Sequence, residues 1–550
     1  MINNVVRDTS VPDIAHQRSR FIRPFTHTTT AIAGKLVPFF CDDVLPGTTL
    51  SFDTSYFCRM LTPLFPVMDD CYLTISYFFV PHRLVWEHFK EMLGENNSTT
   101  QPWTQPVTYS VPQVTTSGVY MFFPKSIADH FGLPTNVAGL SVSALPFRAY
   151  VFIWNSFFRS QVVDPAQYWN AGDSNVTAGV EAFKGGTLLD VCRFHDYFSD
   201  AFPTAQKGAA VNIPVAGVLP VQTTPVEFTP SEITSRYPAK FGDVSTTTGA
   251  TLWTHDQGSL FTNSSGDLHI PTSSSDTAVN NRLIPTNFGV NLALQTGTIN
   301  DLRQAFAVQR YAERLALGGS RYTEQLQSFY GLSVQDSRLQ RPEFLGSQTF
   351  PINMSQVVQT SETTSGGTPQ GNVAGISVTS GKGCKVVYST QEHGYVIGVF
   401  CIRHHRSYQQ GVRRHWSKKT AFDVFQPTFS HIGMMSILNK EVYANGSSTD
   451  TQVFGYTDYA DDYRKGYSDV SGEMRSSYSQ SLDKYHYADN YSTLPTLSSN
   501  WMHEGATEIA RTLALSNPVG YDQFLLQFHM QVDTTAPIPL NGTPGLVDHF

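Results

Sequence analysis

The sequence predicts a β-rich fold, an all-β sandwich whose long connections contain several helices. Amphipathic strand patterns occur near both ends of the chain, and separate helical patterns occur between them. At 550 residues the chain is long, but a sandwich with large insertions can form one unit at this size. We therefore expect strands from the first and last thirds of the chain to share one core.

The strands have the clearest patterns. Residues 50–60 and 524–532 alternate between apolar and polar side chains, as expected for strands with one buried face. Residues 70–80 form a β-branched and aromatic run that stops at Pro81, which cannot donate a ladder hydrogen bond.

Three helices are predicted from apolar residues at steps of three and four. They cover residues 143–162, with Pro146 in the first turn, residues 299–317, and residues 320–330. Gly318 and Gly319 end the second helix, and Gly331 ends the third.

The composition argues against an ordinary monomer surface. Charged residues make up 15% of the chain and aromatic residues 13%, whereas a typical soluble protein has about 25% charged residues. Because charged residues are depleted at the centres of protein interfaces, we expect much of the surface to be buried against neighbours. The net charge of -8 excludes a surface that binds nucleic acid throughout, so any such contact must be local.

The sequence favours a cytoplasmic site of synthesis. Residues 1–23 lack the apolar core of a signal peptide, and no apolar run is long enough to span a membrane. The six cysteines have no disulfide-like spacing, so we expect reduced, buried thiols.

Two segments have an unusual composition. Residues 207–291 are rich in Thr, Ser, Gly and Pro and are predicted to form an inserted surface module, with a flexible linker as the alternative. Residues 455–491 contain eight tyrosines, which suits either an inter-subunit contact or a solvated loop.

Catalytic signatures are limited to near misses. The sequence contains neither GxSxG nor HExxH, and in GISVTSGKG (375–383) the spacer is one residue too long for a phosphate loop, so we interpret it as a glycine-rich turn. Cys401, His404, His405 and His415 do not follow a closed zinc-ligand spacing. Paired aspartates at 42–43, 69–70 and 461–462 are interpreted as turn residues. We expect no enzyme activity, cofactor or metal.

One strongly basic segment is the best candidate for binding nucleic acid. No acidic residue occurs between positions 403 and 422, and Tyr408 and Trp416 could stack on unpaired bases. A subunit interface or a solvated turn fits equally well. Residues 1–35 form a weaker candidate, through Arg7, Arg18, Arg20, Arg23 and Lys35. The candidate nucleic-acid-binding residues of the segment are Arg403, Arg406, Arg413, Arg414, Lys418 and Lys419.

Several blocks of sequence resemble the major capsid proteins of gokushoviruses, small microvirus-type bacteriophages with circular single-stranded DNA. The resemblance covers most of the chain but fails between about residues 217 and 288. The blocks, in the order of that family, include HTTTAIAGKLVPFFCDDVLPGTTLSFDTSYFCRMLTPLFPVMD (27–69), YFFVPHRLVWEHFKEMLGEN (77–96), LPFRAY (145–150), GGSRYTEQLQSFYGLSVQDSRLQRPEFLGS (318–347), EHGYVIGVFCIRH (392–404), YQQGVRRHWSKK (408–419), HYADNYSTLPTLS (486–498) and PGLVDHF (544–550).

This resemblance implies a viral jelly roll, an eight-stranded antiparallel β-sandwich, formed by residues 36–206 and 292–550. It implies a T=1 icosahedral shell of identical subunits in the virion, assembled in the bacterial cytoplasm without membrane insertion. Residues 1–35 would be an arm facing the capsid interior, and residues 207–291 a threefold protrusion for attachment to a host cell-surface receptor. The packaged single-stranded DNA would be held by inward-facing basic side chains and a small basic virion peptide.

Two other classes of protein remain open. A β-sandwich that binds or cleaves glycans would need a deep aromatic pocket with two converging carboxylates, and a bacterial surface adhesin would need an export signal. Neither class predicts closed particles.

Overall fold

The computed structural model describes residues 18–95, 109–211, 299–360, 370–514 and 521–541, together with the backbone of short strands between residues 241 and 285. The chain divides into two compact units. The first consists of residues Met1–Gly208 and Ala312–Phe550, and the second of residues Ala209–Tyr311. The second unit therefore begins close to the predicted insertion boundary and extends past Asn291 to Tyr311.

The first unit is built on an antiparallel β-sandwich of two four-stranded sheets. Numbered along the chain, the strand order is β1-β8-β3-β6 in one sheet and β5-β4-β7-β2 in the other. The strands are β1 (Ser19–Ala31), β2 (Val37–Val44), β3 (Thr49–Met60), β4 (Cys71–Pro81), β5 (Glu343–Ile352), β6 (Thr379–Ser389), β7 (Gly394–His404) and β8 (Phe524–Ala536).

The two predicted amphipathic strands form the centre of the first sheet. β3 and β8 pair with each other, and alternate residues of both are buried. Their buried side chains meet those of the second sheet, so Phe528 of β8 stacks on Phe39 of β2 with ring centroids 4.4 Å apart. The prediction that both ends of the chain supply one core is confirmed.

The second sheet is covered on both faces. Almost every residue of β4 and β7 is buried, which explains their continuous apolar sequences. One face packs into the sandwich core, and the other packs against helix α1 (Leu145–Ile153) in a second apolar cluster. Pro146 lies in the first turn of α1, as predicted.

The remaining helices lie in the connections. Helix α2 (Ile299–Gly318) is largely exposed and is followed by α3 (Tyr322–Tyr330), which ends at Gly331 in the left-handed conformation. The shorter α-helices are His82–Val85, Phe89–Met92, Ile127–His130, Asn439–Val442, Ser499–Met502 and Thr507–Arg511.

Small sheets join other parts of the connections. The largest in the first unit places Gln113–Thr115 between Ser141–Ser143 and Val176–Thr177. The others pair Met354–Val358 with Val373–Ser377, Ser407–Tyr408 with Ser468–Asp469, and Met434–Leu438 with Val453–Asp458. In the second unit, Phe241–Asp243 lies between Ile284–Pro285 and Thr251–Leu252, and Phe261–Thr262 pairs with Leu268–His269.

Residues 19–31, part of the predicted N-terminal arm of residues 1–35, form strand β1 along β8, while residues 1–17 lie outside the described part. Two sequence-based assignments differ from the structure. The glycine-rich segment 375–383 is not a turn but parts of two strands, and β6 accommodates its glycines with a bulge between Lys382 and Lys385. The helix predicted over residues 143–162 is α1 with one π-helical turn, Trp154–Phe158.

The left-handed conformation of Gly319 provides a test of the junction between α2 and α3. Its φ of +87° disfavours any side chain, and an added Cβ would clash with the Glu324 carboxylate, which accepts a hydrogen bond from the Arg321 N–H at 2.9 Å. We expect Gly319→Val to speed hydrogen exchange of the α3 amides at least about tenfold, because left-handed backbone costs about 1–2 kcal/mol and the clash adds to it.

Gly331→Val is the matched control. Gly331 also has a positive φ, +69°, but an added Cβ there would meet no atom within 4 Å. Exchange measured by mass spectrometry should therefore be slower in Gly331→Val than in Gly319→Val. Equal rates would contradict the role assigned to Gly319.

Candidate nucleic-acid interface

The basic segment, residues 403–419, begins at the end of β7 and runs beside the tyrosine-rich segment, residues 455–491. Ser407–Tyr408 pairs in parallel with Ser468–Asp469, and a 3-10 turn follows at Arg414–Ser417. The structure thus brings the two segments together, although they are separate in sequence. The tyrosine-rich segment also carries the acidic residues that the basic segment lacks.

Arg406 is not at the surface, which corrects its assignment as a DNA contact. Its side chain is 2% exposed and forms ion pairs with Asp489, with Glu504 at 3.3 Å and with Glu508 at 3.2 Å. A guanidinium enclosed by three carboxylates cannot reach a phosphate in this conformation. Asp489 lies in the tyrosine-rich segment and Glu504 follows helix Ser499–Met502.

Arg406 belongs to a buried ion cluster, which we define as Arg193, His404, Arg406, Asp489 and Glu504. Arg193 lies 3.3 Å from Asp489, and His404 Nδ1 lies 2.6 Å from Glu504 Oε1. Burial by itself would raise the pKa of both carboxyls, but Arg406 and its cationic neighbours outweigh burial and lower the pKa of Asp489 and of Glu504. Both side chains are therefore carboxylates at neutral pH.

Three further cations of the basic segment have acidic partners in other segments. Arg413 pairs with Asp469 at 2.9 Å, Arg414 with Glu441 at 3.1 Å, and Lys418 with Asp462 at 3.1 Å. Lys418 also lies 4.1 Å from the centre of the Tyr463 ring, and its hydrogen bonds to Tyr463 and Asp462 raise its pKa against the opposing effect of burial. These cations line a cavity of about 300 Å³.

The remaining members of the segment differ in accessibility. Trp416 is 77% exposed and Lys419 is exposed, and no described residue forms an ion pair with the Lys419 side chain. Tyr408 is buried, donates a hydrogen bond to Asp196 at 2.7 Å and cannot stack on a base, contrary to our prediction. Arg403 is half-buried and stacks over Phe194 at 4.1 Å.

The acidic side chains that pair with the basic segment were not predicted from the sequence. They come from residues 441–508, up to about a hundred positions away in sequence, so the local charge pattern could not reveal them. A usable signal was the charge complementarity between residues 403–419 and the aspartates at positions 458, 461, 462, 469, 483 and 489.

The weaker candidates are also paired. Arg20, Arg23 and Lys35 form ion pairs with Asp533, Asp42 and Asp190, respectively, and Arg18 donates a hydrogen bond to the Gly47 carbonyl. Arg7 lies outside the described residues.

The four cysteine and histidine residues considered as zinc ligands have separate environments. His404 contacts Glu504, and His405 stacks on Phe194 with ring centroids 4.6 Å apart. His415 packs on Trp416, and Cys401 is buried in β7. Cys41, Cys58, Cys71 and Cys192 are likewise free thiols, and the side chain of Cys384 lies outside the described part.

Comparison with known proteins identifies the chain. The model of a family described as "Capsid protein (F protein)" matches residues 9–546. The chain belongs to this capsid protein family. Because the family is one of capsid proteins, membership supports a structural role for the chain.

Curated relatives match along nearly the whole chain. It is 34% identical to capsid protein VP1 of Bdellovibrio phage phiMH2K over 98% of the chain and 97% of the relative. It is 33% identical to capsid protein VP1 of Chlamydia phage 1, covering 98% and 97%, and 33% identical to capsid protein VP1 of Spiroplasma virus 4, covering 93% and 92%. The resemblance to gokushovirus capsid proteins is confirmed. No helix in the described part is long and apolar enough to cross a membrane.

The burial of Arg406 predicts a large effect of its removal on stability. Arg406→Leu leaves Asp489 and Glu504 buried without their main cation, so we expect a loss of about 3–5 kcal/mol in the free energy of unfolding. Urea denaturation of the purified chain measures this loss.

Arg413→Leu is the control, because Arg413 and Asp469 keep 41% and 58% of their side-chain exposure. We expect it to cost about 1 kcal/mol or less. Similar losses in the two variants would argue against the buried ion cluster.

Proposed function

We propose that the chain is a major capsid protein whose copies assemble into a small T=1 icosahedral shell around circular single-stranded DNA. The observation that carries this proposal is the match to phage capsid proteins over nearly the full length of the chain. The chain would reside in the virion after assembly in the cytoplasm of a bacterial host. Its function would then be assembly through contacts between identical subunits, not catalysis.

The strand order supports a viral jelly roll. A jelly roll has eight antiparallel strands in two sheets connected as Greek keys. Here the orders β1-β8-β3-β6 and β5-β4-β7-β2 place the first and last strands side by side and make most connections cross between the sheets. The long connections β4–β5 and β7–β8 carry the helices and the basic segment, so the sandwich acts as a scaffold for them.

The exposed aromatic surface supports contact between subunits. Phe422 and Phe425 are 77% and 41% exposed, and residues 421–432 form short turns with few buried side chains. Large aromatic side chains are enriched at interfaces because they bury much area at low entropic cost. Burial of these side chains against neighbouring copies would remove the apolar surface that a monomer leaves in water.

Particle formation tests the proposed function. The purified chain, coexpressed with any assembly partners its phage encodes, should elute as a closed particle on size exclusion and give uniform icosahedral shells by electron microscopy. A chain that stays monomeric under all such conditions would contradict the assembly proposal.

We also infer that part of the basic segment contacts packaged DNA. Arg406, Arg414 and Lys418 have buried or half-buried acidic partners, and Arg403 stacks on Phe194. We therefore restrict the proposed DNA contact to Arg413, Trp416 and Lys419. An exposed guanidinium and ammonium beside an exposed indole suit a single strand, because phosphates attract the cations and a base can stack on the ring. Since the chain has a net charge of -8, a small basic virion peptide would neutralise further phosphates.

The double variant Arg413→Ala/Lys419→Ala should bind single-stranded DNA more weakly. Loss of two phosphate contacts should reduce the slope of log binding constant against log salt by about 1.4, since each contact on a single strand contributes about 0.7. Fluorescence anisotropy with an oligonucleotide over a salt series measures the slope. The matched control is Arg59→Ala/Lys382→Ala, which removes the same charge from β3 and β6. Equal slopes in the two double variants would exclude the segment as the DNA contact.

We further propose that the inserted segment, residues 207–291, forms a threefold surface protrusion that binds a host cell-surface receptor. The residues that flank the second unit, 209–311, support an appended position, because the Lys207 N–H donates a hydrogen bond to the Ala312 carbonyl at 3.3 Å. An excursion whose ends are adjacent can be shortened without stretching the scaffold.

Replacement of residues 209–311 by a short Gly/Ser linker should leave particle assembly intact and abolish adsorption to host cells. Electron microscopy measures assembly, and depletion of particles from solution by host cells measures adsorption. Particles that adsorb as well as the parent would contradict the attachment role, and failure to assemble would contradict the appended position.

A further inference from the structure

Three side chains with metal-binding chemistry meet outside the basic segment. The ligand atoms of Asp164, Cys192 and His503 all lie within 4.8 Å of one another. The His503 Nε2 atom is 3.1 Å from Asp164 Oδ2, and the Cys192 sulfur is 4.0 Å from the same oxygen. Separations of this size are what neighbouring ligands of a single ion about 2.0–2.3 Å from each of them would have.

The fold holds the three residues in place from different directions. Cys192 and His503 face each other in an isolated antiparallel bridge, so their side chains leave adjacent backbones. Asp164 follows the π-helical turn after α1, and its carboxylate accepts hydrogen bonds from the Ser160 N–H at 3.1 Å and from the Ser499 hydroxyl. The Asp164 and Cys192 side chains are buried, and His503 is partly exposed.

The donor set selects the class of ion. One thiolate, one imidazole and one carboxylate suit a borderline-soft divalent ion such as zinc, whereas calcium and magnesium prefer oxygen ligands in greater number. A thiolate and a carboxylate together supply two negative charges, which neutralise a divalent cation. Three protein ligands leave a fourth tetrahedral position, and the exposed side of His503 gives water access to it.

We propose that Asp164, Cys192 and His503 bind one zinc ion that ties three distant parts of the subunit together. The ion would link the end of α1, the segment before residue 200 and the segment that carries Glu504 of the buried ion cluster. Ser499 would orient the Asp164 carboxylate through the hydrogen bond that its hydroxyl donates.

Zinc binding must displace protons. Burial, and then the neighbouring Asp164 carboxylate, raise the pKa of the Cys192 thiol to about 11, so the free site contains a thiol at neutral pH. Binding transfers the thiol proton to solvent, and the proton of His503 Nε2 moves to Nδ1 or leaves in the same way. The hydrogen bond between His503 and Asp164 is then replaced by two bonds to the ion.

Metal content of the purified full-length chain tests the proposal. After incubation with zinc and dialysis, elemental mass spectrometry should find one zinc per chain. When cobalt replaces zinc, the absorption spectrum should show a thiolate-to-cobalt charge-transfer band. Cys192→Ser should lose both signals. Ser499→Ala should keep the ligands but weaken zinc binding about tenfold, because the Asp164 carboxylate loses the hydrogen bond that orients it.

Cys41→Ser is the matched control, because Cys41 is a free, half-buried thiol in β2 with no part in the site. It should bind zinc as the parent does. A parent chain without zinc, or a Cys192→Ser variant with the parent's zinc content, would overturn the proposal and leave the three side chains as a hydrogen-bonded cluster.

A measurement on the parent chain alone covers the case in which Cys192→Ser fails to fold. Zinc should slow alkylation of Cys192 about tenfold, measured by peptide mapping, and leave alkylation of Cys41 unchanged. An unchanged rate at Cys192 in the presence of zinc would equally refute the site. This outcome does not depend on particle assembly, so it separates the zinc proposal from the proposed capsid function.

Discussion

The insertion of the last strand between the first and third strands is the constraint on which the rest of the structure depends. Phe528 of β8 lies opposite His27 of β1 and Tyr56 of β3, and its ring packs on Phe39 of the facing sheet. The core therefore closes only through pairing of residues about five hundred positions apart in sequence. Such long-range pairing carries a high loop-closure cost and makes folding slow. It also fixes both ends of each long connection, so the connections can vary in sequence while the scaffold stays constant.

The buried ion cluster constrains the path of the chain in the connection from β7 to β8, as strand pairing does in the sandwich. Arg406 lies just after β7 and pairs with Asp489 and Glu504, which come from two later segments of that connection. A buried ion pair adds little stability relative to a well-packed apolar cluster, but it accepts only one arrangement of its partners. Its contribution here is therefore specificity: it selects one path for the connection, and that path sets which aromatic side chains remain at the surface.

The sequence predicts the strands with a local pattern but not the contacts between distant segments. Strands β3 and β8 were predicted because one face is buried and the other is polar, which leaves a period of two. Strand β1 was missed because most of its residues are exposed and its sequence is rich in threonine and arginine. Arg406 was misplaced because a run of positive charge has no local signal for acids 83 and 98 residues away. Asp164, Cys192 and His503 form no sequence motif, because they come from three segments that are far apart in the chain.

Only 15% of the residues are charged, and the internal ion pairs leave even fewer of them free for contact with neighbouring subunits. Several of the cations that appeared available for DNA are neutralised within the chain, and the acidic partners are used up in the same pairs. The side chains that stay exposed on the connections include large aromatic groups such as Phe422. Contacts of that kind are individually modest and non-directional, so they gain selectivity only through shape and symmetry. A rigid scaffold with fixed connections is then a physical requirement for a closed shell, because small errors in the direction of each contact would add up around every symmetry axis.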